Sequence, residues 1–411
     1  YLMRTAGITQ EQLRSLLPTT YWEHLAKLRR LETQRIVDAL PASEGQELDR
    51  LRVLLAELES SAGIRAKSTD FHEKIGQIKT LTPFLSRLSK QTVLISFHLG
   101  ERRSHRWELS LSGLKWKPLA PRKVLIDLAK RFEQSVRKND ADVRTLGTEL
   151  YASLFGGLTT GANRASHWLL DLDGELFGTP LAATLSGPSG DGSPSNNAGP
   201  SRFLMEDHTL RVFPGATALL ETGPTGTPGH MIAIADAVFN RADARSQTAT
   251  RRNTVVTRGD DAFEAEQLPA LPGSKVEAAG CASIWGHSTV LTGSNVRRSR
   301  IESEMAKQPS IIHFATHVLA NPSAPDRSLL ALGLNEQGQM EVLGTTDVML
   351  LPASGSLVVL SGCHSASGAV LPGGGWLGMT RAWLLAGANA VVASQWPTPD
   401  DTGLLFQDFY K

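Results

Sequence analysis

Apolar positions change their period partway along the chain. Leu25, Leu28 and Leu31 follow Trp22. Then Leu48, Leu51, Leu54, Leu55 and Leu58 recur in steps of three and four, with Glu47, Asp49, Arg50, Arg52, Glu57 and Glu59 between them. Such spacing gives one apolar helix face backed by charge. Pro41-Ala42-Ser43-Glu44-Gly45 interrupts it and predicts a helix–helix connection. No repeat with a period of about 34 residues is visible here. Residues 1–90 therefore read as a helical segment with two open roles. It is either an amphipathic hairpin packed on the main domain or the end of a helical-repeat region that senses or couples.

From residue 91 the period shortens. Thr92-Val93-Leu94-Ile95-Ser96-Phe97 reads as a strand, and Arg106-Trp107-Glu108-Leu109-Ser110-Leu111 alternates as its partner. Residues 121–137 and 140–156 read as helices, and His167-Trp168-Leu169-Leu170-Asp171-Leu172 as the next strand. Residues 186–201 are a loop rich in Ser, Gly, Pro and Asn. An apolar strand at 230–237 precedes a polar stretch, 239–261, expected to be mobile. Helix 273–284, strand 288–292 and helix 294–307 follow. Strands alternating with helices predict an α/β fold: a parallel-rich sheet with helices on both faces.

Two later apolar runs end in reactive side chains. Ser310-Ile311-Ile312-His313-Phe314-Ala315-Thr316-His317 is one, and Ser356-Leu357-Val358-Val359-Leu360-Ser361-Gly362-Cys363-His364 the other. Short β-branched and aromatic runs suit buried parallel strands. In open α/β sheets the carboxyl ends of the strands form the ligand crevice. Neighbouring strands could deliver the Cys363 thiol and the His317 imidazole to that edge as a nucleophile–base pair. Taken singly, each has a plainer reading: a strand-end Cys as a small buried hydrophobe, a strand His as a satisfied polar group. Gly362 before the thiol and Ser365, Ala366, Ser367 and Gly368 after it leave room for a substrate chain.

Ile312-His313-Phe314-Ala315-Thr316-His317 resembles the histidine strand of CHAT domains, a caspase-like peptidase module often joined to helical repeats. Leu357-Val358-Val359-Leu360-Ser361-Gly362-Cys363 is similar to that family's nucleophile strand. The likeness continues through Gly375-Trp376-Leu377-Gly378-Met379-Thr380-Arg381-Ala382-Trp383-Leu384-Leu385-Ala386-Gly387-Ala388 and Val391-Val392-Ala393-Ser394-Gln395-Trp396-Pro397. Upstream, Leu271-Pro272-Gly273-Ser274, Val290-Leu291-Thr292-Gly293 and Asp173-Gly174-Glu175-Leu176-Phe177-Gly178-Thr179-Pro180-Leu181 also fit. The resemblance covers roughly residues 90–411, so residues 91–411 are assigned to a CHAT domain. Two departures stand out. Val318 follows the histidine where the family usually has Gly. The chain also stops at Phe409-Tyr410-Lys411, where these domains continue, so the domain is expected to be C-terminally incomplete.

The resemblance implies a cysteine endopeptidase. Cys363 would attack the scissile carbonyl, and His317 would take and return the proton. The backbone N–H groups of Cys363 and Val318 would hold the oxyanion. A β-branched residue at 318 restricts the backbone and could misplace that donor. Separases, relatives of CHAT domains, accept a basic side chain on an acidic residue shortly after a strand-ending Trp. Asp400 and Asp401, after Trp396, fit that place, and a carboxylate suits Arg. Either could instead cap the helix expected to start near Thr402. Asp173 is a further pocket candidate or a turn residue with Gly174. Ser361, on the nucleophile strand, joins the substrate-facing set.

Other chemistries are weaker. Gly373, Gly375 and Gly378 match a dinucleotide fingerprint formally but lack the preceding strand and a ribose-binding acid; a loop bordering the substrate and entering a helix fits better. His313, His317, Cys363 and His364 could be drawn as a zinc set. However, His313 and His317 on one strand would lie about 13 Å apart, too far for ligands at about 2 Å from one ion. Cys281, among small residues, reads as a core thiol. No metal or cofactor is expected.

Composition narrows the setting. The chain has 411 residues, 41% hydrophobic and 20% charged, with a formal net charge of +1. That implies a folded core and no bulk attraction to nucleic acid or anionic membrane. Two cysteines cannot build a disulfide framework and suit a reducing, cytoplasmic setting. The expected partners are a protein or peptide substrate and a regulatory protein or helical-repeat region. A non-catalytic scaffold for protein–protein contacts is the alternative.

Overall fold

The computed structural model of the chain describes residues 17–37, 81–186, 201–213, 229–246, 268–319, 328–362, 368–371, 375–396 and 403–411, and separate residues between 41 and 58. It divides into two compact units. One comprises Tyr1–Gly76, Gly223–Ala369 and Leu377–Lys411, the other Gln77–Thr222 and Val370–Trp376. Near the N-terminus, helix α1 (Thr19–Val37) buries Tyr21, Leu25, Leu28 and Leu31 against Leu48, Leu51 and Leu55. The described residues between 43 and 58 are mostly helical, so the leucine spacing closes a helical pair upon itself.

The second unit is built on β1 (Thr92–His98), β2 (Ser104–Ser110), β3 (Gly113–Leu119), α2 (Arg122–Lys138), α3 (Val143–Phe155), β4 (His167–Asp171) and β5 (Thr209–Phe213). Strand order is β3-β2-β1-β4-β5. β1 to β3 form an antiparallel meander, whereas β4 and β5 run parallel to β1. The apolar face of α2 (Leu125, Ile126, Ala129 and Phe132) packs on Val93, Ile95 and Phe97 of β1 and Trp168 and Leu170 of β4. The pattern did not indicate β3. Its Leu114-Lys115-Trp116-Lys117-Pro118 is mostly exposed, and an edge strand accepts a proline that an inner strand would reject.

The first unit continues with β6 (Met231–Ala237), α4 (Pro272–Trp285), β7 (Ser288–Gly293), α5 (Arg298–Met305), β8 (Ile311–Ala315), β9 (Val318–Leu319), β10 (Leu329–Leu334), β11 (Met340–Gly344), β12 (Leu357–Leu360), α6 (Met379–Leu385), β13 (Ala390–Ala393) and α7 (Gly403–Tyr410). A five-stranded sheet in the order β13-β12-β8-β6-β7 is parallel throughout. Ile232, Ile234, Ile312, Phe314, Val358 and Leu360 face α5 and α6. Met231, Ala233, Ala235, Ile311 and Val359 face Ala278 and Cys281 of α4 and Phe406 of α7. β6 is buried at all seven positions, as a central parallel strand covered on both faces should be. The expected α/β class, a parallel sheet with helices on both faces, holds.

Two expected elements are shorter than their patterns. The helix expected from 294 begins at Arg298, because Val296 gives its carbonyl to Gly333 N–H and Arg298 gives its N–H to Glu341. The histidine strand ends at Ala315 instead of running to 317. Thr316 Oγ1 then donates to the Ala331 carbonyl, and Ala331 N–H donates to the His317 carbonyl. The chain thereby leaves the parallel sheet and enters the three-stranded sheet β9-β10-β11. Among the described residues no helix is long and apolar enough to cross a membrane.

Candidate active site

β8 and β12 are neighbours in register, with Phe314 opposite Leu360, and their carboxyl ends leave the sheet side by side. Ser361 N–H donates to the Phe314 carbonyl at 2.9 Å. Gly362 then packs on the backbone between Thr316 and Val318. A Cβ at 362 would meet the Thr316 carbonyl oxygen at 2.2 Å and Val318 Cγ2 at 2.9 Å. Only glycine permits that approach. The residue directly before Cys363 is thus pressed on the residue directly before His317. Cys363 itself, His364, Asp400 and Asp401 lie outside the described residues.

His317 is held by its ring. Nε2 lies 2.9 Å from the carbonyl oxygen of Pro269. A carbonyl only accepts, so Nε2 carries the proton and, in the neutral ring, Nδ1 keeps the lone pair. The Phe239 ring stands edge-on to the imidazole, with centroids 4.8 Å apart. Phe239 is buried, whereas His317 is partly open to solvent. The second ring nitrogen of a working base must be exposed to its partner, and this placement permits it.

The N–H of Val318 has a fixed direction. His317 and Ala331 form a hydrogen-bonded position of the antiparallel ladder, and Val318 pairs with Leu330 at the next one. Positions alternate in such ladders, so the Val318 N–H points away from β10, off the edge strand. Val318 is extended, the conformation a β-branched side chain favours.

Ser361 is buried, and its hydroxyl reaches the Phe314 carbonyl at 3.3 Å. Asp173 belongs to the second unit, where its carboxylate accepts from Leu99 N–H at 2.7 Å and lies 3.6 Å from His98 Nδ1. Gly174 beside it has a φ of 56°, as a turn glycine would. Gly373 lies outside the described residues, and Gly375–Gly378 is a short strand leading into α6, not a loop.

His313, four residues before His317, is fully buried at mid-strand. Its Nε2 donates to Glu277 at 2.7 Å, and its Nδ1 accepts from the Tyr410 hydroxyl at 3.0 Å. Burial pushes the Tyr410 hydroxyl's pKa upward, which keeps it a donor. Cys281, on the same face, has its thiol pushed up to about 12, chiefly by burial and further by Glu277. That thiol is inert at neutral pH. Among the described residues no group of three or more His, Cys, Asp or Glu could hold a metal ion.

Sequence reasoning missed two residues here. Pro269 was unremarkable in a loop. Asp236 was passed over, although a carboxylate at the end of an otherwise apolar seven-residue strand was its signal. Asp236 is buried, has a φ of 42°, and receives Arg245 Nη1 at 2.6 Å.

An all-parallel sheet flanked by helices, with a histidine beside the end of the neighbouring strand, defines a caspase-like α/β domain. The chain belongs to the CHAT domain family, whose model matches residues 143–411. It is also similar to the mouse (Mus musculus) tetratricopeptide repeat protein 28, with 25% identity over 398 aligned residues covering 85% of this chain. The chain spans 14% of that relative's length.

Proposed function

We propose that this chain is a cysteine endopeptidase module in which Cys363 is the nucleophile and His317 the base. The observation that carries this reading is the seating of Gly362 against Thr316. It brings the strand end that leads into Cys363 beside the strand end that leads into His317. The Pro269 carbonyl supports it by fixing the proton on Nε2, so that Nδ1 can accept from the thiol. The thiolate attacks the scissile carbonyl, and the imidazolium returns the proton to the leaving amine. Val318 N–H, directed away from β10, serves the oxyanion together with Cys363 N–H. Asp400, with Asp401 beside it, receives a basic side chain before the cut bond. The test is cleavage mapping with the full-length protein and its Cys363→Ala control. Cuts after Arg or Lys that vanish in the control support both the dyad and the pocket. Unchanged cutting by Cys363→Ala removes the peptidase reading, and acidic or apolar residues before the bond remove the pocket.

A second reading rests on the mouse relative, whose name describes a repeat protein. On that reading the helical pair at residues 17–58 ends a repeat region, and the domain serves protein–protein contact or answers to such contact. Cys363 that resists a thiol-reactive peptide in the activated full-length protein would favour the scaffold.

A further inference from the structure

β6 is apolar except for Asp236, and that residue breaks the strand's regularity twice. Its φ is 42°, and the ladder with β7 slips between Ile234 and Ala237. Irregularities of this kind re-aim a side chain and gather beside functional sites. Two of the contacts at Asp236 lead to one segment. The Asp236 N–H donates to Ser274 Oγ at 3.0 Å, and Ser274 Oγ donates to the Leu271 carbonyl at 2.7 Å. Asp236 Oδ1 accepts from Leu271 N–H at 3.3 Å. Asp236 Oδ2 is held by Arg245 Nη1 at 2.6 Å, and Arg245 in turn by Asp243. On the other side, Asn240 Nδ2 donates to the Leu268 carbonyl at 2.8 Å. Leu268 and Leu271 are therefore fixed, and between them lies Pro269, whose carbonyl receives His317 Nε2–H.

We infer that Asp236 is a positioning residue: it fixes the segment 268–271 so that the Pro269 carbonyl holds His317 as the Nε2–H tautomer and leaves the Nδ1 lone pair free to act as the base. The inference rests on the proposed role of His317 and deepens it. Groups that orient an imidazole through its far nitrogen set which nitrogen can act. A residue that merely capped α4 would stabilise the fold without selecting a tautomer.

The test reads the tautomer directly. Full-length protein labelled with ¹⁵N-histidine gives ring-nitrogen shifts, and His317→Gln identifies the His317 signals. The wild type should be almost wholly Nε2–H. Asp236→Ala should leave the two tautomers in comparable amounts and raise the inflection of the Cys363 alkylation profile. Asp236→Asn keeps the acceptor for Leu271 and tolerates the left-handed backbone. It should restore the wild-type spectrum although it weakens the Arg245 pair. Should Asp236→Ala fail to fold, Asn240→Ala releases the other side of the segment and should shift the tautomers in the same direction. An unchanged His317 spectrum in folded Asp236→Ala or Asn240→Ala overturns the inference. So does an Asn variant that behaves as the Ala variant does. A tautomer that responds as expected, in a protein whose cutting does not depend on Cys363, sinks the peptidase reading and leaves the positioning role standing. Cutting that depends on Cys363, with an unresponsive tautomer, does the reverse.

Discussion

Both units carry a five-stranded sheet with buried polar groups, but they use them differently. In the mixed sheet, Arg106 and Glu108 are buried on β2. Arg106 donates to Glu108 and to the carbonyls of Leu154 and Gly156, and Glu108 accepts from Thr159 N–H. The pair ties the strand to the loop after α3, and these partners are all fixed parts of the fold. In the parallel sheet several polar residues gather where strands stop. Asp236, Thr316, His317 and Ser361 all lie at carboxyl ends, and His317 offers a ring nitrogen to the outside. His313, at mid-strand, is closed off by Glu277 and Tyr410. Polar side chains inside a sheet are thus tied into the fold, whereas the carboxyl ends of the parallel strands, where such sheets form their ligand crevice, carry an imidazole that keeps a nitrogen open.

That contrast breaks if substitutions at the two kinds of position move the same quantity. His317→Ala should lower cleavage on the order of 10⁴-fold or more, as loss of a nucleophile's base does, and leave the denaturation midpoint nearly unchanged. A variant that unfolds early would put His317 with the structural set. Arg106→Met should cost about 3–5 kcal/mol in denaturant unfolding, since it strands a buried carboxylate. A stability within ~1 kcal/mol of wild type would show that the pair is not desolvated in solution. His313→Ala should cost about 3 kcal/mol by leaving Glu277 without its buried donor, yet cleavage per folded molecule should persist. Catalysis lost in a well-folded His313→Ala protein would reverse the assignment of the base.

The smallest expected effect is on pH. Burial depresses the pKa of His208 in one unit, against a pull upward from the Ala165 carbonyl and Asp207. Burial, and then His287, depress His230 in the other. A histidine whose folded pKa is lowered binds fewer protons than the unfolded chain does. Its contribution is complete above the unfolded value of about 6.5 and is lost as pH falls below it. Melting temperatures should therefore fall with acid below about pH 6.5. His208→Gln and His230→Gln should each flatten the slope. A wild-type slope retained in both variants would assign the acid sensitivity elsewhere.

Much of the parallel sheet was legible because its strands are continuous apolar runs bounded by turn residues, as at Met231–Ala237 and Leu357–Leu360. The closeness of His317 and Gly362 followed from those runs being neighbouring strands. The switch of the chain at Thr316 into a second sheet was not legible, since it depends on hydrogen bonds to Ala331. Nor was the Pro269 contact, which joins a loop carbonyl to a ring 48 residues later. The edge strand β3 escaped because its apolar groups face solvent, so burial left no alternation to read.

The central claim is that His317 activates Cys363. The chain has two cysteines, and Cys281 serves as an internal control because it is buried, with its thiol pushed up to about 12. The most direct measurement is alkylation of the folded, full-length protein across pH, read at each cysteine by mass spectrometry. The account predicts that Cys363 reacts with an inflection below the ordinary thiol value of about 8.5, that His317→Ala moves it upward, and that Cys281 stays unlabelled until the protein unfolds. A Cys363 profile that is identical with and without His317 would contradict it.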